Sequence, residues 1–138
     1  MIRLTPHFTL EELTVSETAQ RKGWGNEPDE RAIKNLQRLA KLLEAVKTLL
    51  GGKPIMVSSG YRSKLVNDAV GSKDTSQHRI GCAADIKVPG MTPQQVVKAV
   101  VASDIPYDQV IVEFDAWTHI SVPSLETAKP RKQALVIN

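Results

Sequence analysis

The clearest pattern along the chain is a run of apolar residues at helical spacing. It predicts an amphipathic helix over residues 29–50, because apolar side chains three or four positions apart share one face of a helix. The Gly51-Gly52 pair marks the end of this helix. We expect the apolar stripe to lie in the core, and it consists of Ile33, Leu36, Ala40, Leu43, Val46 and Leu50.

Shorter segments carry signals of their own. Thr9, followed three residues later by Glu12, is a capping-box pattern and predicts a short helix over residues 8–13. A polar loop follows it, through Gly23, Gly25 and Pro28. Further predicted elements are a strand over residues 54–58, a helix over 63–70 that Gly71 ends, and a helix from Thr92-Pro93 to about residue 103.

The second half of the chain predicts strands. Alternation over residues 84–88 predicts a strand with Asp85 and Lys87 on one face. Residues 110–114 and 118–122 predict a hairpin across a three-residue loop. Helices packed on one side of a small, mainly antiparallel sheet make the α+β class the expected fold.

The length of 138 residues fits one compact domain. We assign residues 1–123 to that domain and residues 124–138, which contain Lys129-Pro130-Arg131-Lys132, to an irregular or partly mobile C-terminal tail. No linker, repeat or low-complexity segment indicates a second module.

Composition excludes several classes of protein. The net charge of +3 is too small, and the aromatic residues too few, to predict a nucleic-acid partner. A single cysteine, Cys82, excludes an intramolecular disulfide framework. No apolar run of about 18 residues predicts membrane insertion, and the N-terminal segment lacks the apolar stretch of a signal peptide. We therefore expect a monomer that is synthesised in the cytoplasm.

Two histidines and an aspartate supply the donor set of a zinc centre. His78 and Asp85 lie close together in the sequence, and His119 follows 34 residues after Asp85. Imidazole nitrogens and a carboxylate oxygen bind zinc, and three protein ligands leave a fourth position open for water. Taken singly, each of these residues also fits a structural role, such as a surface or capping histidine.

Three motifs together resemble one known family. They are Ser58-Ser59-Gly60-Tyr61-Arg62-Ser63, Ser76-x-His78-x-x-Gly81-x-Ala83-x-Asp85 and Trp117-x-His119-x-Ser121. The combination resembles the zinc peptidases that include D-alanyl-D-alanine carboxypeptidases and L-alanyl-D-glutamate endopeptidases, which cut the peptide stems of the bacterial cell wall. Over about residues 5–123, the order of segments is similar to that of small phage and prophage endolysin-like members.

The resemblance implies the Hedgehog/DD-peptidase fold, zinc as the cofactor, and His78, Asp85 and His119 as its ligands. It also implies an anion-binding role near the metal for Arg62, which would stabilise an oxyanion or hold a substrate carboxylate. A plain strand-to-helix turn is the alternative for the Arg62 segment. Ser76 and Trp117 are substrate-binding candidates, although Ser76 also fits a bond to the backbone and Trp117 also fits core packing.

We expect Glu113 to be the catalytic base, with Asp115 as the alternative. Some relatives carry a carboxylate three residues before the last histidine, where this chain has Ala116. In the predicted hairpin Glu113 lies directly opposite His119 on the same face, whereas Asp115 lies in the turn. The Hedgehog signalling domain, which is similar to this family, also has a glutamate six residues before its last zinc histidine.

These expectations combine into one hypothesis of function. The chain is predicted to be a zinc-dependent peptidase that hydrolyses an amide bond in the peptidoglycan peptide stem, with Glu113 transferring the proton. We expect it to act in phage-type lysis, at the cell wall in the periplasm, after release or delivery. The alternative is a non-catalytic, zinc-containing wall-binding or phage structural module, and the ligand set together with Glu113 favours the enzyme.

Overall fold

A five-stranded sheet forms the centre of the molecule. The computed structural model describes residues 1–138, and the sheet consists of β3 (Met56–Ser59), β4 (Ala83–Lys87), β5 (Gln109–Glu113), β6 (Trp117–Ser121) and β7 (Gln133–Ile137). Their order is β3-β4-β6-β5-β7, and all neighbours are antiparallel except β5 and β7. A separate pair, β1 (Arg3–Thr5) and β2 (Phe8–Thr9), is antiparallel. The predicted α+β class is confirmed.

Five α-helices accompany the sheet. They are α1 (Leu10–Thr14), α2 (Glu17–Lys22), α3 (Glu30–Leu49), α4 (Lys64–Ala69) and α5 (Pro93–Val101). Asp29 begins α3 by accepting a hydrogen bond from the Ala32 N–H at 2.8 Å, and Thr9 begins α1 with the predicted capping box. No helix has both the length and the apolar character needed to cross a membrane.

Two predictions about the helical segments are wrong. Ile33 is exposed, because the buried arc of α3 is centred near Leu39 and Leu43, and at about 100° per residue Ile33 falls just outside that arc. The expected loop after α1 contains α2, which Ser16 caps by accepting a hydrogen bond from the Ala19 N–H at 3.1 Å. Because α2 is short and buries one residue, it leaves no apolar periodicity in the sequence.

The hairpin forms as predicted, but its register differs. Glu113 pairs with Trp117, and Ile111 is the residue directly opposite His119. Both strands begin one residue earlier than expected, so the pairing moves by two positions. Because side chains alternate with a period of two, this shift leaves Glu113 on the same face as His119.

The two faces of the sheet have different roles. One face contributes Ala84, Ile86, Val110 and Ile120 to the hydrophobic core, together with the buried leucines of α3. We call the opposite face the site face, and it carries Asp85, Ile111, Glu113, Trp117 and His119. A helix-covered face and a face that carries polar side chains are thus built from the same strands.

The C-terminal segment is more ordered than the predicted irregular tail. Residues 133–137 form β7, which extends the sheet in parallel beside β5. Before this strand, the Arg131 side chain donates to the buried carboxylate of Asp108 at 2.6 Å, and the Arg131 N–H donates to the same carboxylate at 3.0 Å. A pairing with residues more than twenty positions away leaves no local sequence signal.

Replacing Arg131 tests the contribution of its ion pair with Asp108 to stability. Burial acts to raise the pKa of Asp108, but hydrogen bonds from Arg131 and Gln77 outweigh burial and lower it. A carboxyl group whose pKa is lowered by folding stabilises the protein above its unfolded-state pKa, and this stabilisation is lost as the pH falls through the folded-state pKa. We expect Arg131→Ala to lower the free energy of unfolding by about 1 kcal/mol at pH 7, because the half-exposed arginine is screened by solvent.

The measurement is urea unfolding of wild type and Arg131→Ala at several values between pH 7 and pH 3. The difference between the two proteins should shrink towards the acid end, where Asp108 becomes protonated. Arg21→Ala is the control, because Arg21 is exposed and makes no ion pair. A wild-type advantage that stays constant down to pH 3 would contradict the assignment.

Candidate metal centre

His78 is positioned by a short 3₁₀ helix, Gln77–Ile80. The Ser76 hydroxyl caps this helix by accepting a hydrogen bond from the His78 N–H at 3.2 Å. The Nδ1 atom of the His78 ring lies 2.7 Å from the carbonyl oxygen of Gly60. Because a carbonyl accepts only, Nδ1 carries the proton in this contact, and Nε2 is the nitrogen that faces Asp85 and that would bind a metal.

Two glycines allow the backbone to approach closely around His78. A side chain at Gly60 would collide with the carbonyl oxygen of Leu13. Gly81 ends the 3₁₀ helix with a φ of 80°, and a Cβ atom there would lie 2.6 Å from the carbonyl oxygen of Ala32. Both positions therefore require glycine, which explains in physical terms why the two motifs contain it.

Asp85 and His119 face one another across neighbouring strands. They are paired residues of β4 and β6, and Asp85 Oδ1 lies 3.2 Å from His119 Nδ1. The same oxygen lies 3.3 Å from His78 Nε2. The two imidazole rings meet edge to face, with their centroids 5.2 Å apart. All three side chains are buried, so the structure brings together the three residues that the sequence predicts as ligands.

The geometry of these three donors fits zinc. Bond lengths of about 2.0–2.2 Å at a tetrahedral ion place neighbouring donor atoms about 3.4 Å apart. The Asp85 oxygen lies at close to that distance from both histidine nitrogens, and the three donor atoms lie within 4.8 Å of one another. The donor set, two neutral nitrogens and one carboxylate oxygen, also matches zinc chemistry.

Asp85 is ionised in spite of its burial. Burial acts to raise the pKa of its carboxyl group, but hydrogen bonds from His119 and His78 and the charge of these rings outweigh burial and hold the pKa well below its usual range. A carboxylate must be deprotonated to bind a metal ion. The site therefore presents Asp85 in the form that a cation requires.

Arg62 lies beside Asp85 and is largely buried. Its guanidinium donates to Ser59 Oγ at 3.1 Å, to Ser72 Oγ at 3.0 Å and to Asp85 Oδ2 at 3.4 Å. Burial lowers the pKa of Arg62, while the negative charges of Asp85 and Glu113 act to raise it. The guanidinium remains charged at any physiological pH.

Glu113 and Asp115 have different surroundings. Glu113 Oε2 lies 4.0 Å from His119 Nδ1, and Glu113 Oε1 accepts a hydrogen bond from the indole N–H of Trp117 at 2.8 Å. Asp115 lies in the hairpin turn, is exposed, and accepts a hydrogen bond from Gln94. Glu113 is thus the carboxylate that lies beside the three ligand residues.

A cleft of about 430 Å³ opens over the site face, and we call it the central cleft. Four polar residues line it, Arg62, Ser72, Asp85 and Glu113, and four apolar ones, Val70, Phe114, Trp117 and Ile137. Ser76 does not line this cleft, so its contact with substrate stays a prediction without a supporting contact. Trp117 lines the cleft and is only partly buried, and its contact with substrate also stays a prediction.

Sequence reasoning missed several members of the site. Ser59 lies within a quoted motif, and its position three residues before Arg62 is a weak local signal for its hydrogen bond. The bond from Trp117 to Glu113 has a similar signal, since the two residues are close in the hairpin. Ser72 and Ile137 reach the site only through the tertiary fold, and no motif marks them.

The arrangement differs from a structural zinc site, in which four protein ligands close the coordination shell. Here three protein donors converge, one of them (Asp85) lines a cleft, and a glutamate lies beside His119, which is the arrangement of hydrolytic zinc centres. The family model described as Peptidase M15 matches residues 6–121, and the chain belongs to this family. Peptidases of this family depend on zinc, so the protein is a zinc metallopeptidase. No curated protein sequence matches the chain.

Replacing His119 tests the metal centre. Zinc that binds only the folded protein stabilises it by about 2.7 kcal/mol at a hundredfold excess over its Kd. For a chain of this length, this corresponds to a rise in Tm of about 10 °C. We expect zinc to raise the Tm of wild type by this amount, chelation to reverse the rise, and His119→Ala to lose it.

The matched control is His7→Ala. His7 is an exposed histidine that contacts Glu44 far from the site, so its replacement should leave the zinc-dependent rise in Tm intact. A full zinc-dependent rise in His119→Ala, measured by differential scanning calorimetry, would show that His119 is not a ligand.

Proposed function

We propose that the protein hydrolyses an amide bond in the peptide stem of bacterial peptidoglycan. The bond is either that between L-Ala and D-Glu, cut by an endopeptidase, or that between the two terminal D-Ala residues, cut by a carboxypeptidase. The three motifs that resemble the wall peptidases support this proposal, and so does the open cleft beside the ligand residues. The setting that we propose is phage-type lysis, in which the enzyme acts as a monomer at the cell wall.

One observation carries the catalytic part of the proposal. The Glu113 carboxylate lies 4.0 Å from His119 Nδ1, on the site face and at the edge of the central cleft. A carboxylate that only stabilised the hairpin would have no reason to lie beside the buried imidazole of His119 and to line the same cleft as Asp85. A general base, in contrast, must lie within reach of both the attacking water and the leaving group.

In the proposed mechanism, the side chains of the protein hold and move the proton. Bound zinc supplies a Lewis acid that polarises the scissile carbonyl and lowers the pKa of water. Glu113 Oε2 accepts the proton of the attacking water and returns it to the nitrogen of the leaving amine. The indole N–H of Trp117 holds Glu113 Oε1, and this bond orients the other carboxylate oxygen towards the site.

Arg62 is proposed to bind an anionic group of the substrate. A guanidinium has five N–H groups, and three contacts, to Ser59, Ser72 and Asp85, use three of them. Two N–H groups therefore remain for a carboxylate of the stem peptide or for the oxyanion that forms during hydrolysis. Its contact with Asp85 also fixes the orientation of that ligand residue.

Mass spectrometry of products released from purified peptidoglycan tests the function. The zinc-loaded protein is incubated with the wall material beside a chelated control. Release of free D-alanine would identify a carboxypeptidase, and cleavage between L-Ala and D-Glu would identify an endopeptidase. If several wall chemotypes yield no product that depends on zinc, peptidoglycan is not the substrate.

Glu113→Gln should abolish turnover while zinc stays bound. The amide is similar in size and can accept the Trp117 hydrogen bond, but it cannot take up the proton, so kcat should fall by about 10²–10⁴. Asp115→Asn is the matched control and should keep nearly full activity. The readouts are the rate of product release and the zinc content. A Glu113→Gln enzyme with the normal rate would show that another group is the base.

Arg62→Lys separates the two proposed roles of Arg62. Lysine keeps the charge but loses the planar fork. We expect KM to rise about tenfold for a stem peptide with a free C-terminal carboxylate and to change little for its C-terminal amide. Arg131→Lys, far from the cleft, is the control, and zinc content is measured in both variants. An equal loss of kcat on both peptides would instead assign Arg62 to the oxyanion.

A further inference from the structure

Strand β7 lies outside the family match and yet reaches the active site. The match to the Peptidase M15 family covers residues 6–121, whereas β7 covers residues 133–137. Its last residue, Ile137, lines the central cleft together with Arg62, Asp85 and Glu113. The cleft therefore includes one side chain, that of Ile137, which the matched part of the chain does not supply.

The register of the sheet explains how Ile137 reaches this position. Glu113 pairs with Trp117 on one side and with Ile137 on the other, so these three residues form a row across the site face. Ile137 is thus the neighbour of the proposed base on the next strand. Val136, which pairs with Val112, points to the opposite face of the sheet and is 65% exposed.

Hydrogen bonds hold both ends of β7 against the body of the protein. Near its start, the Gln133 N–H donates to the Asp108 carbonyl at 3.0 Å, beside the ion pair of Arg131 and Asp108. At its end, the Phe114 N–H donates to the Ile137 carbonyl at 2.7 Å. Strand β7 is therefore held in place along the cleft, and the hairpin turn is bonded directly to its end.

Phe114 is a further apolar residue that lines the central cleft. This bulky residue adopts a φ of 56°, in the left-handed region that non-glycine residues rarely occupy. Its ring is 55% exposed and packs against Trp117, with the ring centroids 5.4 Å apart. Asp115 adopts a φ of 54° as well, and the Ala116 N–H donates to the Glu113 carbonyl at 3.0 Å, so the tight hairpin turn sets this conformation and holds the Phe114 ring at the edge of the cleft.

We propose that Ile137, with Phe114 and Trp117, forms an apolar wall that selects substrates by an aliphatic side chain next to the scissile bond. The inference rests on the proposed function. Ile137 is 41% exposed beside Glu113, so a methyl group that contacts it removes apolar surface of both partners from water. In a stem peptide, the aliphatic group would be the methyl of an alanine. This contact is equally available before and during the reaction, so it should act on binding and on KM more than on kcat.

The test compares an alanine-containing stem peptide with analogues in which each alanine in turn is replaced by glycine. Binding is measured by calorimetry on three zinc-loaded proteins. The parent protein carries Glu113→Gln, and the other two carry Ile137→Ser or Val136→Ser in addition. Loss of one methyl contact should weaken binding about fourfold. At one of the alanine positions, we expect the parent protein and the Val136→Ser control to bind the alanine peptide more tightly than its glycine analogue. The Ile137→Ser variant should lose this preference for alanine.

Further measurements distinguish the loss of one contact from misfolding of the variant. Circular dichroism and Tm should be the same for Ile137→Ser and Val136→Ser, and Ile137→Val should restore most of the preference for alanine.

The wild-type enzyme is assayed for cleavage of the same peptides, together with Ile137→Ser and Val136→Ser variants that keep Glu113. KM for the alanine peptide should rise about fivefold in Ile137→Ser alone, with kcat nearly unchanged.

The outcomes separate this inference from the proposed function. If the wild-type enzyme cleaves the peptides but Ile137→Ser keeps the alanine preference, the wall is refuted and the proposed function stands. If the wild-type enzyme cleaves none of them, yet binding shows the predicted pattern, the wall stands and the proposed reaction is wrong. If no peptide binds the parent protein, both are overturned.

Discussion

Asp85 lies on β4, an inner strand of the five-stranded sheet, and only 5% of its surface is exposed. An unpaired carboxylate in such a position would be strongly unfavourable. Its charge is compatible with this position only because donors surround it: His78, His119 and Arg62 all lie within hydrogen-bonding or ion-pair distance. Each of these residues comes from a different segment of the chain. The need to compensate one buried charge therefore determines where the 3₁₀ helix, β6 and the Arg62 segment lie relative to β4.

The same cluster connects stability with function. A metal ion that binds the two imidazoles and the carboxylate replaces contacts that already hold the segments together, so the site is preorganised and needs little rearrangement. Two glycines make this possible, because Gly60 and Gly81 let the backbone pass close to α1 and α3. Trp117 also donates a hydrogen bond to Glu113, and Ser59 and Ser72 accept hydrogen bonds from Arg62, so the proposed base and the proposed anion-binding group are each held by a neighbour.

The success of sequence prediction varies with the range of the interactions involved. α3 and its cap follow from apolar periodicity and from Asp29, and the three ligand residues follow from motifs that resemble a known family. The predicted hairpin has an incorrect register but still puts Glu113 on the correct face, because an error of two residues does not change the face of a strand. Ile33, by contrast, lies at the edge of its helical stripe, where periodicity alone does not decide burial.

The sequence by itself determined the main helix, the hairpin, the α+β class and the three residues that form the candidate metal centre, because these depend on local periodicity, caps and short motifs. Only the tertiary structure decided the partners that lie far apart along the chain. These are the carbonyl of Gly60 that orients His78, the hydroxyl of Ser72 on Arg62, and the parallel strand that brings Ile137 beside Glu113. The physical reason is that such contacts depend on how backbone segments dock against one another, and docking leaves no repeating pattern in the sequence.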